Sequence, residues 1–277
     1  SPEFLILLMT IGSAISWADW LNLLNNFAIE EINFTGTEMG ILQSLREVPG
    51  FLAFTVIFVL AFIKEQKLAY ISLAMLGAGI VLTGFVETNL TFYLATIIMS
   101  IGFHYFETIN GSLTLQWIDK DKTAEFLGRV IATRSAASII AFSFVWVLFQ
   151  HFQLSYMWLY TLGGGVAVLI VLFCWQSFPL FPEKVTQTKK IILRKRYWLY
   201  YALQFMSGAR RQIFVVFAGF LMVEKFEFTV AEISMLLIAN AAINVVFAPK
   251  IGRLIQRFGE RKSLIFEYIG LSLIFAG

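Results

Sequence analysis

The residues of this chain that could do chemistry are few, and nearly all sit inside long apolar stretches. Asp19, Asn22 and Asn26 are spaced three and seven apart, which stacks them on one face of a helix, with Trp17 and Trp20 alongside. Arg46 and Glu47 are adjacent and precede Pro49-Gly50, a pair that loosens a helix. His104 lies three residues before Glu107, with Asn110 and Gln116 further on. Arg134 stands alone in its stretch, Gln204, Arg210, Arg211 and Gln212 share another, and Asn240 and Asn244 are one turn apart. A guanidinium grips a carboxylate or phosphate through two parallel N–H donors, so four such arginines point to an anionic ligand. The competing reading is that each arginine neutralises a nearby carboxylate, Arg46 with Glu47 or Glu107, and Arg210 with Asp19. A binder of neutral or cationic compounds would carry the same pairs.

The elements that must position these groups follow from composition. Apolar residues make up 58% of the 277 and charged residues 14%, and mean hydropathy is +0.76. A soluble domain carries about a quarter charged residues. The apolar runs reach ~20 residues, enough to cross the ~30 Å hydrocarbon layer as helices, and they lack the alternation of a membrane barrel. Nine spans are expected, at 4–28, 37–63, 68–87, 91–118, 127–149, 156–178, 197–223, 229–250 and 262–277. The fold class is therefore an all-α membrane protein lodged in a lipid bilayer. An ionisable group at that depth costs ~2.5–3.5 kcal/mol on insertion scales, which makes each one a candidate for function.

Orientation follows from the connectors. The even-numbered ones hold two, three, six and five Lys or Arg residues, sixteen of the 21 in the chain, and the odd-numbered ones hold only Lys225. Basic short loops stay cytoplasmic, which places the N-terminus inside and the chain in the cell inner membrane as a multi-pass protein. The same distribution accounts for the basic pI of about 8.9 without a nucleic-acid partner. The one long connector, 179–196, carries Lys189-Lys190 and Arg194-Lys195-Arg196 after the sixth span. Six helices, a basic linker and further helices is the layout of a transporter built from two repeated halves. It divides the chain into a six-helix bundle at 1–178, a cytoplasmic linker at 179–196 and three helices at 197–277.

In the connector after the eighth span the sequence reads Gly252-Arg-Leu-Ile-Gln256-Arg257-Phe-Gly259-Glu-Arg261-Lys262. This resembles the cytoplasmic gating signature of the major facilitator superfamily (MFS), with Gln256 where that family usually has Asp. The equivalent first-half connector, Lys64 to Lys67, lacks the signature. The resemblance covers the organisation of the whole chain and about thirteen residues at motif level. It implies a two-bundle transporter of twelve helices, so that a chain of nine reads as truncated within its second half or as completed by a partner. A full-length member is expected to be a monomer.

The resemblance also implies that helices one, four, seven and ten line a central cavity, with two, five and eight beside them. Those spans are the ones that carry the ionisable groups, whereas span six has none and span three has none before Glu87. The expected substrate-binding residues are Trp17, Asp19, Asn22, Arg46, Arg134, Arg210 and Arg211. Asp19 and Arg210 lie ~16 and ~21 Å from the outer ends of their spans at 1.5 Å per residue, close enough in height to pair across the cavity. A carboxylate there can load and release a proton as its surroundings alternate; Glu107 leads for that role, Asp19 follows, and His104 is a possible relay. The expected activity is proton-coupled secondary active transport of a small, anionic organic solute by alternating access. Alternatives are a multidrug or amphipath efflux pump and a non-transporting receptor or gene remnant. No phosphate-binding glycine loop and no histidine–cysteine metal set is present, so neither an enzyme nor a cofactor or metal is expected.

Overall fold

The computed structural model describes residues 1–182, 194–213, 217–258 and 260–276; within these, the side chains at 124–125, 204, 207–213, 244, 246–257, 260–261, 264 and 274–276 lie outside the described residues. The described chain is helical. The helices are α1 (Pro2–Glu30), α2 (Gly36–Phe51), α3 (Val56–Val59), α4 (Glu65–Thr83), α5 (Asn89–Trp117), α6 (Thr123–Phe152), α7 (Tyr156–Ser177), α8 (Trp198–Ile213), α9 (Gly219–Phe226), α10 (Val230–Phe258) and α11 (Glu260–Ala276).

Local sequence sets several of the boundaries. Three helices begin with a threonine whose partner lies three residues on, so that each satisfies the other's exposed backbone N–H. At α2 the Thr35 N–H donates to Glu38 at 3.0 Å, and at α5 the Thr88 N–H donates to Thr91 Oγ1 at 3.1 Å. At α10 the Thr229 N–H donates to Glu232 at 2.8 Å, and the Glu232 N–H donates to Thr229 Oγ1 at 3.3 Å. Pro49 lies inside α2, and a 3-10 turn at Leu52–Thr55 follows it and joins α2 to α3, so the second span is one broken helix from Gly36 to Val59. Six helical segments among the described residues are long and apolar enough to cross a membrane, the last ending at Ser177. Of the expected seventh span, the described residues form α8, ending at Ile213, and α9, beginning at Gly219.

Packing rests on small residues, because lipid supplies no hydrophobic drive for helices to associate and close backbone approach must do so instead. α4 is clamped between α5 and α7. A Cβ at Gly77 would lie 2.5 Å from the Gly164 carbonyl oxygen, and one at Gly102 would run into the α4 backbone at Ser72 and Leu76. α4, which carries no ionisable group in its apolar core, is thus deeply packed by glycine crossings. α1 packs against α6 and α7, α2 against α5, and α6 against α10. This last contact joins the second half to the first, with Ala18, Ala141 and Phe142 buried against Leu237 and Ile238.

The segment bearing the Gly252–Arg261 signature differs from expectation. It was expected in a loop beginning near residue 251, but α10 continues unbroken to Phe258. Residues 253–258, Arg-Leu-Ile-Gln-Arg-Phe, contain no helix breaker. Gly252, Gln256 and Arg257 therefore sit in the last turns of a helix, while Gly259 and the side chain of Arg261 lie outside the described residues.

Candidate functional site

Two polar clusters form on neighbouring parts of α1, α2, α5 and α6. In the first, the buried Arg46 donates from Nη2 to Glu47 Oε1 at 2.5 Å, with Glu47 the more exposed partner. The Arg46 guanidinium lies 5.5 Å from the Trp17 ring and 6.0 Å from the Trp20 ring, so two aromatic faces share its charge with the carboxylate. Trp17 stacks on Phe103 of α5 with centroids 4.0 Å apart and planes 16° apart. Ser100 donates its hydroxyl to the Arg46 carbonyl at 2.5 Å, which ties α5 to α2 at this level. His104 fits beside α2 because residue 50 is glycine; a Cβ there would lie 2.7 Å from His104 Cε1.

The second cluster is one turn further along α5. Arg134 of α6 donates through Nη2 to both oxygens of Glu107, at 2.7 and 2.8 Å. Both side chains are partly open, Arg134 at 42% exposure and Glu107 at 29%. His104, three residues before Glu107, thus lies beside the closed pair, and Glu107 belongs to the open one.

The polar face of α1 divides. Asn22 donates to Ser234 Oγ of α10 at 2.8 Å, and Asn26 donates to the Phe228 carbonyl at 2.7 Å. Asn25 occupies the space a Cβ at Gly219 would need, 2.6 Å from its Nδ2. These asparagines join the first half to α9 and α10 near the Glu30 end of α1. Asp19 turns elsewhere. It is 3% exposed and seated so closely over Gly163 of α7 that a side chain at 163 would overlap its carboxyl group. Ser16, three residues earlier, donates to the Gly163 carbonyl at 2.7 Å.

The expected partners of Asp19, Arg210 and Arg211, have backbones in α8, but their side chains lie outside the described residues, as do those of Gln204, Gln212 and Asn244. Asn110 and Gln116 are internal ties: Asn110 donates to Thr10 Oγ1 at 3.3 Å, and Gln116 donates to Glu65 at the start of α4. Sequence reasoning did not single out Gly163, Ser234 or Phe103. The place of Gly163 at a helix crossing has no signal in one sequence.

An all-helical bundle in which six described helices are long and apolar enough to cross a membrane defines a multi-pass membrane protein. The sequence model of the Major Facilitator Superfamily matches residues 6–277, and the chain belongs to that family. No curated protein matches it. Among solved structures it is similar to the nucleoside transporter NupG, at 17% identity and a TM-score of 0.72, covering 94% of this chain and 69% of that one. It is also similar to a bacterial homologue of the human lysosomal transporter Spinster in an inward-facing, occupied conformation, at 11% identity and a TM-score of 0.72. That match covers 94% of this chain and 62% of the homologue. At these identities the likeness is one of fold.

Proposed function

We propose that this chain is a proton-coupled secondary transporter that moves a small organic anion by alternating access. The observation that carries the reading is the Glu107–Arg134 pair, the more open of the two arginine–carboxylate pairs. While Glu107 is ionised it occupies the guanidinium. When Glu107 takes up a proton it loses its charge, and Arg134 becomes available to the carboxylate or phosphate of a solute, which accepts charge-assisted hydrogen bonds from the guanidinium in its place. Solute and proton are then favoured together, each raising the affinity for the other by the same factor. On the opposite side, solute departure and proton loss restore the pair. His104, one turn away on the same helix, is the relay we propose for the proton. Arg46 stays with Glu47 beneath Trp17 and Trp20 and supplies a fixed positive field, while Trp17 and Phe103 form an apolar wall.

Alternation needs a gate at each side. Asn22, Asn26 and Asn25 meet Ser234, Phe228 and Gly219 at the Glu30 end, which fits a conformation closed there. With the N-terminus cytoplasmic, that is the outer side. The helical end of α10, with Gln256 and Arg257, is the proposed inner gating element.

A second reading, export of cationic or neutral amphipaths, is favoured by one observation: Arg46 and Arg134 each already hold a carboxylate, while Asp19 holds no cation among the described residues. Thermal stabilisation of the purified protein by a panel of carboxylic acids and cationic dyes separates the two. Acids are expected to stabilise the wild type, and Arg134→Gln to abolish their effect. Stabilisation by dyes alone would replace the first reading with the second.

A further inference from the structure

α6 and α7 both pack on α1 but touch each other little, and between them lies a cleft of about 110 Å³. Its walls are apolar, with Ile15, Ala141, Leu148 and Val166 among them, and its rim carries Phe144 and Leu162, 56% and 44% exposed. In this apolar lining stands a single carboxylate, that of Asp19. Asp19 is 3% exposed and its Oδ2 has no hydrogen-bond partner. The nearby hydroxyl of Ser16 is committed to the Gly163 carbonyl at 2.7 Å. Tyr160, the other buried polar side chain within electrostatic reach, contributes no positive charge. Among the described residues no Lys, Arg or His lines the cleft.

A carboxylate so placed has lost its water without gaining a donor, which is costly unless a cation or a proton joins it. We propose that the cleft binds a short aliphatic ammonium ion, its N–H groups on the Asp19 carboxylate where that side chain lines the cleft and its chain between α6 and α7. An apolar cavity of about 150 Å³ holds a benzene ring, so the smaller volume here sets the tail at a few methylene groups. Gly163 is the positioning residue, since any side chain there would move the carboxyl group. The proposal does not depend on which solute the Glu107–Arg134 pair serves, because neither residue lines the cleft.

The test is calorimetric titration of the full chain in lipid nanodiscs with n-butylammonium, n-butanol and n-butyrate. Butylammonium is expected to bind, and the alcohol and the acid to bind at least tenfold more weakly. Asp19→Asn is expected to weaken butylammonium at least tenfold, and Ala141→Leu, which fills the cleft and leaves the carboxylate, to do the same. Glu107→Gln is expected to leave this binding unchanged, so loss of the transport mechanism and loss of this site remain separable. Equal binding of butanol and butylammonium, or undiminished binding in Asp19→Asn, would show a merely apolar hole beside a protonated carboxyl group. Should Asp19→Asn not fold, undiminished binding in Ala141→Leu would overturn the proposal by itself.

Discussion

Glu107 and Arg134 are 27 positions apart on different helices, yet one guanidinium nitrogen reaches both carboxylate oxygens. If the pair exchanges its carboxylate for that of a solute, a compact, strongly hydrated ammonium should serve poorly in place of the weakly hydrated guanidinium. Arg134→Lys is therefore expected to lower the rate of uptake into proteoliposomes by about tenfold or more while leaving the protein folded. The contrast with Arg46 is informative at the same scale. Arg46 is buried under two tryptophans and bound to its neighbour in sequence, so Arg46→Gln should destabilise the protein through the loss of these contacts, read as a lower melting temperature. Both arginines were visible in the sequence as charges at membrane depth. Which carboxylate each takes was open, because pairing across helices depends on their relative rotation and height. For Arg46 the neighbouring Glu47 is the partner; for Glu107 it is Arg134.

Helices were the most legible level. Length and hydropathy mark most of them to within a few residues. The end of α10 was misplaced because a basic, glycine-containing motif suggests a loop, whereas a single glycine near a helix end need not stop it. The crossings were not legible, since a glycine at a contact and one at a lipid face look alike in one sequence. Two consequences are measurable. Gly102→Val forces α4 and α5 apart at Ser72 and Leu76 and is expected to cost about 1–3 kcal/mol, seen as a lower melting temperature. Asn22→Leu removes its link to Ser234, worth about 0.6 kcal/mol for an interhelical hydrogen bond in a membrane, or roughly a threefold shift toward opening at the Glu30 end. A cysteine placed at Ala18, buried where α1, α6 and α10 meet, should then react with a thiol reagent about threefold faster than in the parent.

For the molecule as a whole, the family defines a membrane transporter, and we propose from the uneven distribution of Lys and Arg that its N-terminus lies inside. The closed contacts near the Glu30 end and the partly open Glu107–Arg134 pair are what one conformation of an alternating carrier would show. The most direct measurement is uptake of a radiolabelled small carboxylate into proteoliposomes with and without an imposed inward proton gradient, for the wild type and for Glu107→Gln. The account requires gradient-driven accumulation by the wild type, and in Glu107→Gln only gradient-independent exchange, since a permanently neutral group can bind solute beside Arg134 but cannot carry the proton. Accumulation in Glu107→Gln that still follows the proton gradient would contradict it.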